Sequence, residues 1–505
     1  MKRILFIVFS FFIIFTSCTN NKKDLKKQKI TLNIESEPNT LDPRKVRSLN
    51  SINLVKSLFE GLVKEEKDGS ISLALAESYQ ISKDNKVYTF KLKDALWSNK
   101  EKITAYDFEY TYKKILSKDF ITSSAYNLFV IKNAKKAKNN EISIDDIGIK
   151  AIDENTLQIE LEIPKFYFLK LLTHPSFFAI NSKLDKKNPS WAISSKDFVS
   201  SGPFKLSKWV REDQLLFSKN ENYYDSDKVK LNEISFLILT IDSELFMFEK
   251  KKLDWAGSPF SALPVDSMKK LKEKKLVNIE PYSGIAFLRM NIEKITDKNL
   301  RKAISFSINR KKIVDHILQG NQKDTSRLIF NDQNVEKFNF EDLNFENETV
   351  TITYATSNRN HILAQALQRD IEKNLKIKVL LNALENKTYF EKISKQDYEI
   401  ALSSWIVDFN DPINYLEVFK YKNSSTNNTL WESEKYISLL DKSDITFDED
   451  ERNNLLMQAE NHLLDESCVV PLYHMTQNYL KNPKLKNIHL HSSGFMDFKN
   501  AYIEE

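Results

Sequence analysis

Three consecutive stretches constrain this chain most: "ETVTITYAT" (348–356), "HILAQALQRDIEKNL" (361–375) and "KIKVLLNAL" (376–384). The outer two read as strands, and the middle one carries Ile362, Leu363, Ala366, Leu367 and Ile371 along one helical stripe. Strand, helix and strand in so short a span make a parallel pair with a right-handed crossover, and hence an α/β fold. In open sheets of this kind ligands gather beyond the carboxyl ends of the strands. "YEIALSSW" (398–405) reads as a further strand. "WIVDFNDP" (405–412) follows it, with Asp408 and Asp411 set among Trp405, Phe409 and Pro412. Either the two acids cap the next turn, or one of them faces a cation in a cleft. The place just past a strand end favours the cleft.

The N-terminus bears on compartment. "MKRILFIVFSFFIIFTSC" sets Lys2 and Arg3 before an apolar run from Ile4 to Phe15. A membrane span takes roughly 20 residues, so this run fits instead the apolar region of a secretory signal peptide, residues 1–17. Thr16 and Ser17 directly before Cys18 resemble a bacterial lipobox, whose cysteine is lipidated and becomes the first residue; Phe15 stands where leucine is usual. Residues 18–29 then read as a polar tether. With Cys18 lipidated, Cys468 in "ESCVVPLYH" is the one cysteine left, a small buried hydrophobe by its apolar setting, and no disulfide framework is possible. The chain is too long for one ordinary domain, and its stability must come from a core. Taking Lys2 and Arg3 from 75 cations leaves 73 against 70 anions, a balance that argues against nucleic acid as partner.

Elsewhere strands and helices alternate. "ITLNIES" (30–36) and "KVYTFKL" (86–92) have the period of strands, and "NSINLVKSLFEGLV" (50–63) places Ile52, Val55, Leu58, Phe59 and Leu62 on one helical face. "TAYDFEYTYKKIL" opens with Thr104 and Asp107 at capping-box spacing. "FKLSKWV" and "LLFSKN" flank 211–214 as a hairpin with a four-residue connection, and "NLRKAISFSINRKKIVDHIL" (299–318) is a helical segment that breaks near Asn309.

Several stretches, taken in order, are shared with one family: "SEPNTLDPRKV" (36–46), "LFEGLV" (58–63), "LAESYQISKDNKVYTFKLKDALWSN" (75–99), "ITAYDFEYTYKKIL", "SGPFKLSKWV", "LRKAISFSINRKKIV" and "SSWIVDFNDPINYLEVF". The ordered set resembles the bacterial oligopeptide- and dipeptide-binding proteins of ABC importers, extracellular solute-binding protein family 5. The resemblance implies a two-lobed, periplasmic-binding-protein-like fold with an inserted third subdomain, closing on an extended peptide. It implies residues 30–59 with 183–281 and 477–505 as the first lobe, 60–182 as the inserted subdomain and 282–476 as the second lobe. It further implies an extracytoplasmic, lipid-anchored monomer that serves the transmembrane permease subunits of an importer, with no cofactor, metal or enzymatic activity. In peptide-binding relatives the acid matching Asp408 pairs with the ligand's α-ammonium group, and Trp405 and Phe409 are placed to wall the site. Arg47, Ser48 and Leu49 match a segment beside the bound peptide, where backbone pairing would be strand addition.

Two departures from the family matter. Some oligopeptide relatives carry an arginine that meets the peptide carboxylate, and by spacing from Trp405 this chain has Leu402 there. Arg359 and His361, at the start of the 361–375 helix, are candidate replacements, since a helix N-terminus favours anions; the plain alternative is a solvated helix start. The linker from Gly320 to Thr349 is also shorter than in most relatives. Among rival functions, an exported hydrolase lacks His-Glu-x-x-His, Gly-x-Ser-x-Gly and a carboxylate pair suited to glycoside hydrolysis. Binding of nickel complexes or haem by the same fold is a closer rival. His489 and His491 in "IHLHS" would share one face of a strand, although surface histidines are the plainer reading. A peptide-sensing lipoprotein not coupled to transport is the third alternative.

Overall fold

The computed structural model describes residues 28–329, 338–340, 342–345 and 347–504. The apolar N-terminal run, Cys18 and most of the tether lie outside the described residues, as does part of the 320–349 linker. Three larger sheets organise the rest. The first is four-stranded, with Lys29–Asn33 parallel to Glu233–Leu237, followed by Gln214–Lys219 and Phe204–Val210. The hairpin in it pairs Val210 with Gln214, so the connection is three residues and not four; Glu212 at φ 59° makes the tighter turn possible.

The helix expected over 50–63 is shorter, Leu49–Leu58. A distant loop stops it: the amides of Ser201 and Gly202 donate to the Leu58 carbonyl at 3.1 and 2.9 Å. A Cβ on Gly202 would stand 2.8 Å from the Phe59 nitrogen, so only glycine permits that approach. Phe59 turns extended, and Leu62 is buried outside the helix.

The inserted segment carries its own antiparallel sheet, in the order Ala76–Ile81, Val87–Leu92, Thr156–Glu160, Ile149–Asp153. Helix Ala105–Leu116 packs on it, burying Phe108, Tyr112 and Ile115. Asp107 accepts from the Thr104 amide at 3.1 Å, as the capping spacing predicts. Arg44 ties this segment to the parts of the chain that precede and follow it. The guanidinium, 1 % exposed, pairs with Asp42 at 2.8 Å and Asp185 at 2.6 Å, and Tyr110 of the insert donates to Asp185 at 2.8 Å. A buried ion pair with its remaining lone pairs satisfied avoids most of its desolvation cost.

The third sheet has seven strands. Its order runs Trp255–Gly257, Val469–Lys481, Asn278–Met290, Ile400–Ile406, Thr349–Ala355, Lys378–Leu384, with Lys323–Asp324 beside Val469–Lys481. The strand–helix–strand unit is present as expected: Thr349–Ala355 and Lys378–Leu384 are parallel, joined by helix Asn358–Leu375. Leu288, Ile352, Leu367, Val379 and Val470 form its core. The helical segment 299–318 breaks where expected, because the Asn309 side chain accepts from the Lys312 amide at 3.0 Å and starts a new turn.

Two strands of 13 residues, Asn278–Met290 and Val469–Lys481, run the length of this sheet. Their register shifts twice, between Ala286 and Phe287 and, with the larger surplus, where Pro281 pairs with Thr476 but the next pair is Ile285 with His474. Inside the surplus, the Ser283 amide donates to the Ser492 carbonyl at 2.7 Å, and its carbonyl accepts from the Val407 amide at 3.1 Å.

Candidate functional site

Strand Ile400–Ile406 is central in its sheet, and the chain leaves it through Val407 into Asp408 and Phe409. Two side chains fix that exit. Asn414, on the short helix Ile413–Leu416, accepts from the Asp408 amide at 2.8 Å and from the Trp405 indole at 3.3 Å. Asp411 accepts from the Ile413 amide at 3.1 Å just before that helix, and it is paired with Arg452 at 2.6 Å and Lys170 at 3.5 Å. The two acids of "WIVDFNDP" therefore have different work. Asp411 is a buried, doubly paired anchor, and Asp408 is left to face elsewhere.

Asp408 meets the inserted segment. Its Oδ2 accepts from the Tyr126 hydroxyl, and its Oδ1 lies 4.0 Å from His174 Nε2. His174 is no cation here: burial, helped by Lys56, pushes the imidazole down to about 3. Its Nδ1 accepts from the Ser176 amide at 3.2 Å, which leaves the proton on Nε2, toward Asp408. No lysine or arginine among the described residues lies within 4.0 Å of the Asp408 carboxylate. Burial accordingly pushes this acid up to about 6, with the Tyr126 hydroxyl working the other way. Burial first and then the Asp408 charge hold the Tyr126 phenol well above its ordinary range. The arrangement is a carboxylate short of positive charge, flanked by a hydroxyl and a neutral imidazole. A group bearing positive charge and several N–H donors would complete it through charge-assisted hydrogen bonds.

The remaining candidates are scattered around this point. Trp405 is half-buried, and Phe409 is buried and stacked on Tyr167 of the insert, ring centroids 5.0 Å apart. Arg47 and Ser48 are exposed. Ser48 caps helix Leu49–Leu58: its hydroxyl accepts from the Ser51 amide at 3.2 Å and its carbonyl from the Ile52 amide at 2.9 Å. Leu49 is thus helical, and the extended backbone available for strand pairing ends at Ser48. Leu402 is buried in the second-lobe core opposite Leu288, with its side chain among aliphatic neighbours. Arg359 and His361 stand in the first turn of Asn358–Leu375. The Arg359 guanidinium is 3.4 Å from the Tyr473 hydroxyl, and His361 Nδ1 is 2.7 Å from the Tyr354 hydroxyl.

His489 and His491 depart from the surface reading. His491 is 8 % exposed, and the two rings are 4.2 Å apart. The loop they belong to turns back through Gly494, at φ 82°, onto Tyr282 and Leu49. His491 also lines an open pocket with Lys56, Glu60, Glu65 and Thr173. Burial lowers the Lys56 ammonium to about 8, and it sits 3.5 Å from the Phe495 ring centre. Among the described residues no three metal-ligating side chains converge. Sequence reasoning missed Tyr126, His174, Asn414 and Arg452. Tyr126 is 282 positions from Asp408, and nothing local to either residue announces the pairing.

Comparison with known proteins places this architecture. The profile of the bacterial extracellular solute-binding proteins, family 5 Middle, matches residues 70–427. The oligopeptide-binding protein OppA of Bacillus subtilis is 34 % identical over 96 % of this chain and 94 % of its own length. The dipeptide-binding protein DppE of the same organism is 30 % identical over 93 % of this chain and 91 % of its own. Among solved structures, the oligopeptide-binding protein OppAIV of Borrelia burgdorferi superposes with a TM-score of 0.85 at 29 % identity, covering 94 % of this chain and 100 % of that one. With the two-lobed fold, a profile match over more than half its length and a relative aligned almost end to end, this chain belongs to the bacterial extracellular solute-binding proteins of family 5.

Proposed function

We propose that this protein captures peptides between its lobes by binding their α-ammonium group on Asp408, and hands them to the permease subunits of an ABC importer. The observation that carries the reading is the Asp408 carboxylate, positioned at a strand end and approached by Tyr126 and His174 but by no lysine or arginine among the described residues. An α-ammonium supplies the missing charge and three donors in one group. Relatives named for oligopeptide and dipeptide binding support peptides as the ligand class. Trp405 flanks the ammonium, Phe409 supports the loop from beneath, and the exposed residues Arg47 and Ser48, extended at Ser48, pair with peptide main chain. Leu402 offers no charge to the peptide carboxylate. The carboxyl end accordingly lies in solvated space unless Arg359, with His361 beside it, reaches it.

The finer parts of the reading are the lobe boundaries near 60, 182, 282 and 476, a lipid anchor on Cys18, a monomeric state without cofactor, and the absence of catalysis. Mass spectrometry of small molecules that co-purify with the protein tests the ligand class. A spectrum of peptides with free amino ends supports it. Peptides with blocked amino ends, or non-peptide ligands, overturn it.

A further inference from the structure

One short segment of the insert, "PKFYFLK" (164–170), lies along the second lobe and meets it with four side chains. Lys165 pairs with Asp444, the two side chains being 8 % and 0 % exposed. Phe166 packs edge-on against Phe447 at 6.1 Å and under the Arg452 guanidinium at 4.9 Å. Tyr167 stacks on Phe409, and Lys170 reaches Asp411 at 3.5 Å. The insert is held to the first lobe by other means. Besides the Arg44 hub, the Thr122 hydroxyl donates to the Arg44 carbonyl at 2.7 Å and the Ser98 amide to the Ser200 carbonyl at 2.8 Å. When the lobes part, the insert stays with the first lobe, and this strip is what separates from the second.

Lys165 is the more deeply buried of the strip's two lysines, and its partner Asp444 is fully buried. Asp444 Oδ1 is buried without a hydrogen-bond partner, and the next cation, Lys420, is 3.9 Å from Oδ2 and already committed to Asp441 at 2.6 Å. With the lobes together, Asp444 relies on an ammonium delivered from the other lobe. With the lobes apart, water solvates both. A buried pair of this kind adds little net stability, but removing one partner leaves a desolvated charge and is strongly unfavourable. The contact therefore discriminates between correct and incorrect lobe placement.

We propose that Lys165 seated on Asp444 is the registration point of lobe closure, a positioning pair that governs ligand affinity without touching the ligand. The inference rests on the reading of a cleft that closes between two lobes. Its test uses the full chain, tetra-alanine as probe, isothermal calorimetry for affinity and small-angle scattering for lobe separation. Lys165→Met should weaken tetra-alanine binding by roughly tenfold or more and enlarge the radius of gyration of the protein measured without peptide. The double variant Lys165→Met/Asp444→Leu, which removes both charges of the pair and leaves Lys420 near Glu417, should recover both readouts to within about threefold. The N-acetyl to free-amine discrimination set by Asp408 should be the same in all three proteins. Wild-type affinity and radius in Lys165→Met overturn the proposal, as does a double variant no better than the single. If Lys165→Met does not fold, Lys165→Gln, which also removes the charge, and the double variant carry the same comparison. Wild-type protein that binds no peptide overturns the peptide reading alone, because the scattering comparison still decides the contact.

Discussion

The Tyr126 hydroxyl donates to the Asp408 carboxylate across the junction between the inserted segment and the second lobe. One residue sits on the 3-10 turn Ser123–Val130 and the other past the end of strand Ile400–Ile406, so the contact reports how the two bodies are placed. It also shows what the acid lacks, since a neutral hydroxyl bond leaves its charge uncompensated.

Peptide affinity should therefore fall as pH drops through about 6, where Asp408 takes up a proton. The ionised acid is the form that binds an ammonium, so affinity is flat above that point and declines about tenfold per pH unit below it. Calorimetry across that range on one peptide and its N-acetyl derivative checks this. A decline shared equally by the blocked peptide would assign the titration to another group.

Asp408→Asn should weaken binding by about 2–5 kcal/mol and at the same time stabilise the protein measured without peptide. The sign follows from the raised acid: its folded-state value lies above the unfolded one, so its favourable contribution is present below the ordinary carboxylate range and is lost as pH rises through about 6. At neutral pH the asparagine variant should gain on the order of 2–3 kcal/mol, and at low pH the gain should vanish. Urea unfolding at the two pH values decides it.

Asp411→Asn should do the opposite. Its carboxylate and the Arg452 guanidinium are 1 % and 3 % exposed, and breaking such a pair costs about 3–5 kcal/mol. Unfolding should shift to lower urea at neutral pH, with peptide affinity reduced only as far as the loop loosens.

Amidating the carboxyl terminus of a bound peptide should cost no more than a surface ion pair, ~0–1 kcal/mol, because Leu402 is buried among aliphatic side chains and offers no charge. A loss near 3 kcal/mol that disappears in Arg359→Ala would put the cation at the start of helix Asn358–Leu375 instead.

Cys18→Ser should yield a protein that is neither lipidated nor cleaved before residue 18. Mass spectrometry of the N-terminal peptide reads both changes. Unaltered processing in the variant would refute the anchor.

Much of the second lobe was legible because its signals are local: the 349–384 unit has both strand periods and a clean helical stripe, and the Asn309 break carries its own cap. The place of Asp408 past a strand end was legible for the same reason. What the sequence hid depends on contact between distant segments. Helix Leu49–Leu58 stops because residues 201–202 reach its last carbonyl, and its apolar face runs on to Leu62 without marking that end. Tyr126 and His174 became site residues only when folding carried the insert to the second lobe. Asp408 and Asp411 carry identical side chains three residues apart, and the positions of Arg452 and Lys170 separate the paired anchor from the acid proposed to bind.

The register break at Ser283 has a kinetic consequence. With the lobe boundaries proposed near 282 and 476, which fall inside the two long strands, rotation of the lobes would pass through those strands, and Ser283 is tied on one side to Ser492 and on the other to Val407, the residue before Asp408. The group that holds the ligand's first residue thus rides on the axle, where a swing displaces atoms least. A peptide that lands by its amino end remains seated while the jaws come together, and docking and closing become separable steps. Its association rate then belongs to an encounter with a preformed anchor, and its residence time to the frequency of reopening, so that substitutions around Asp408 and substitutions along 164–170 act on different halves of the same equilibrium.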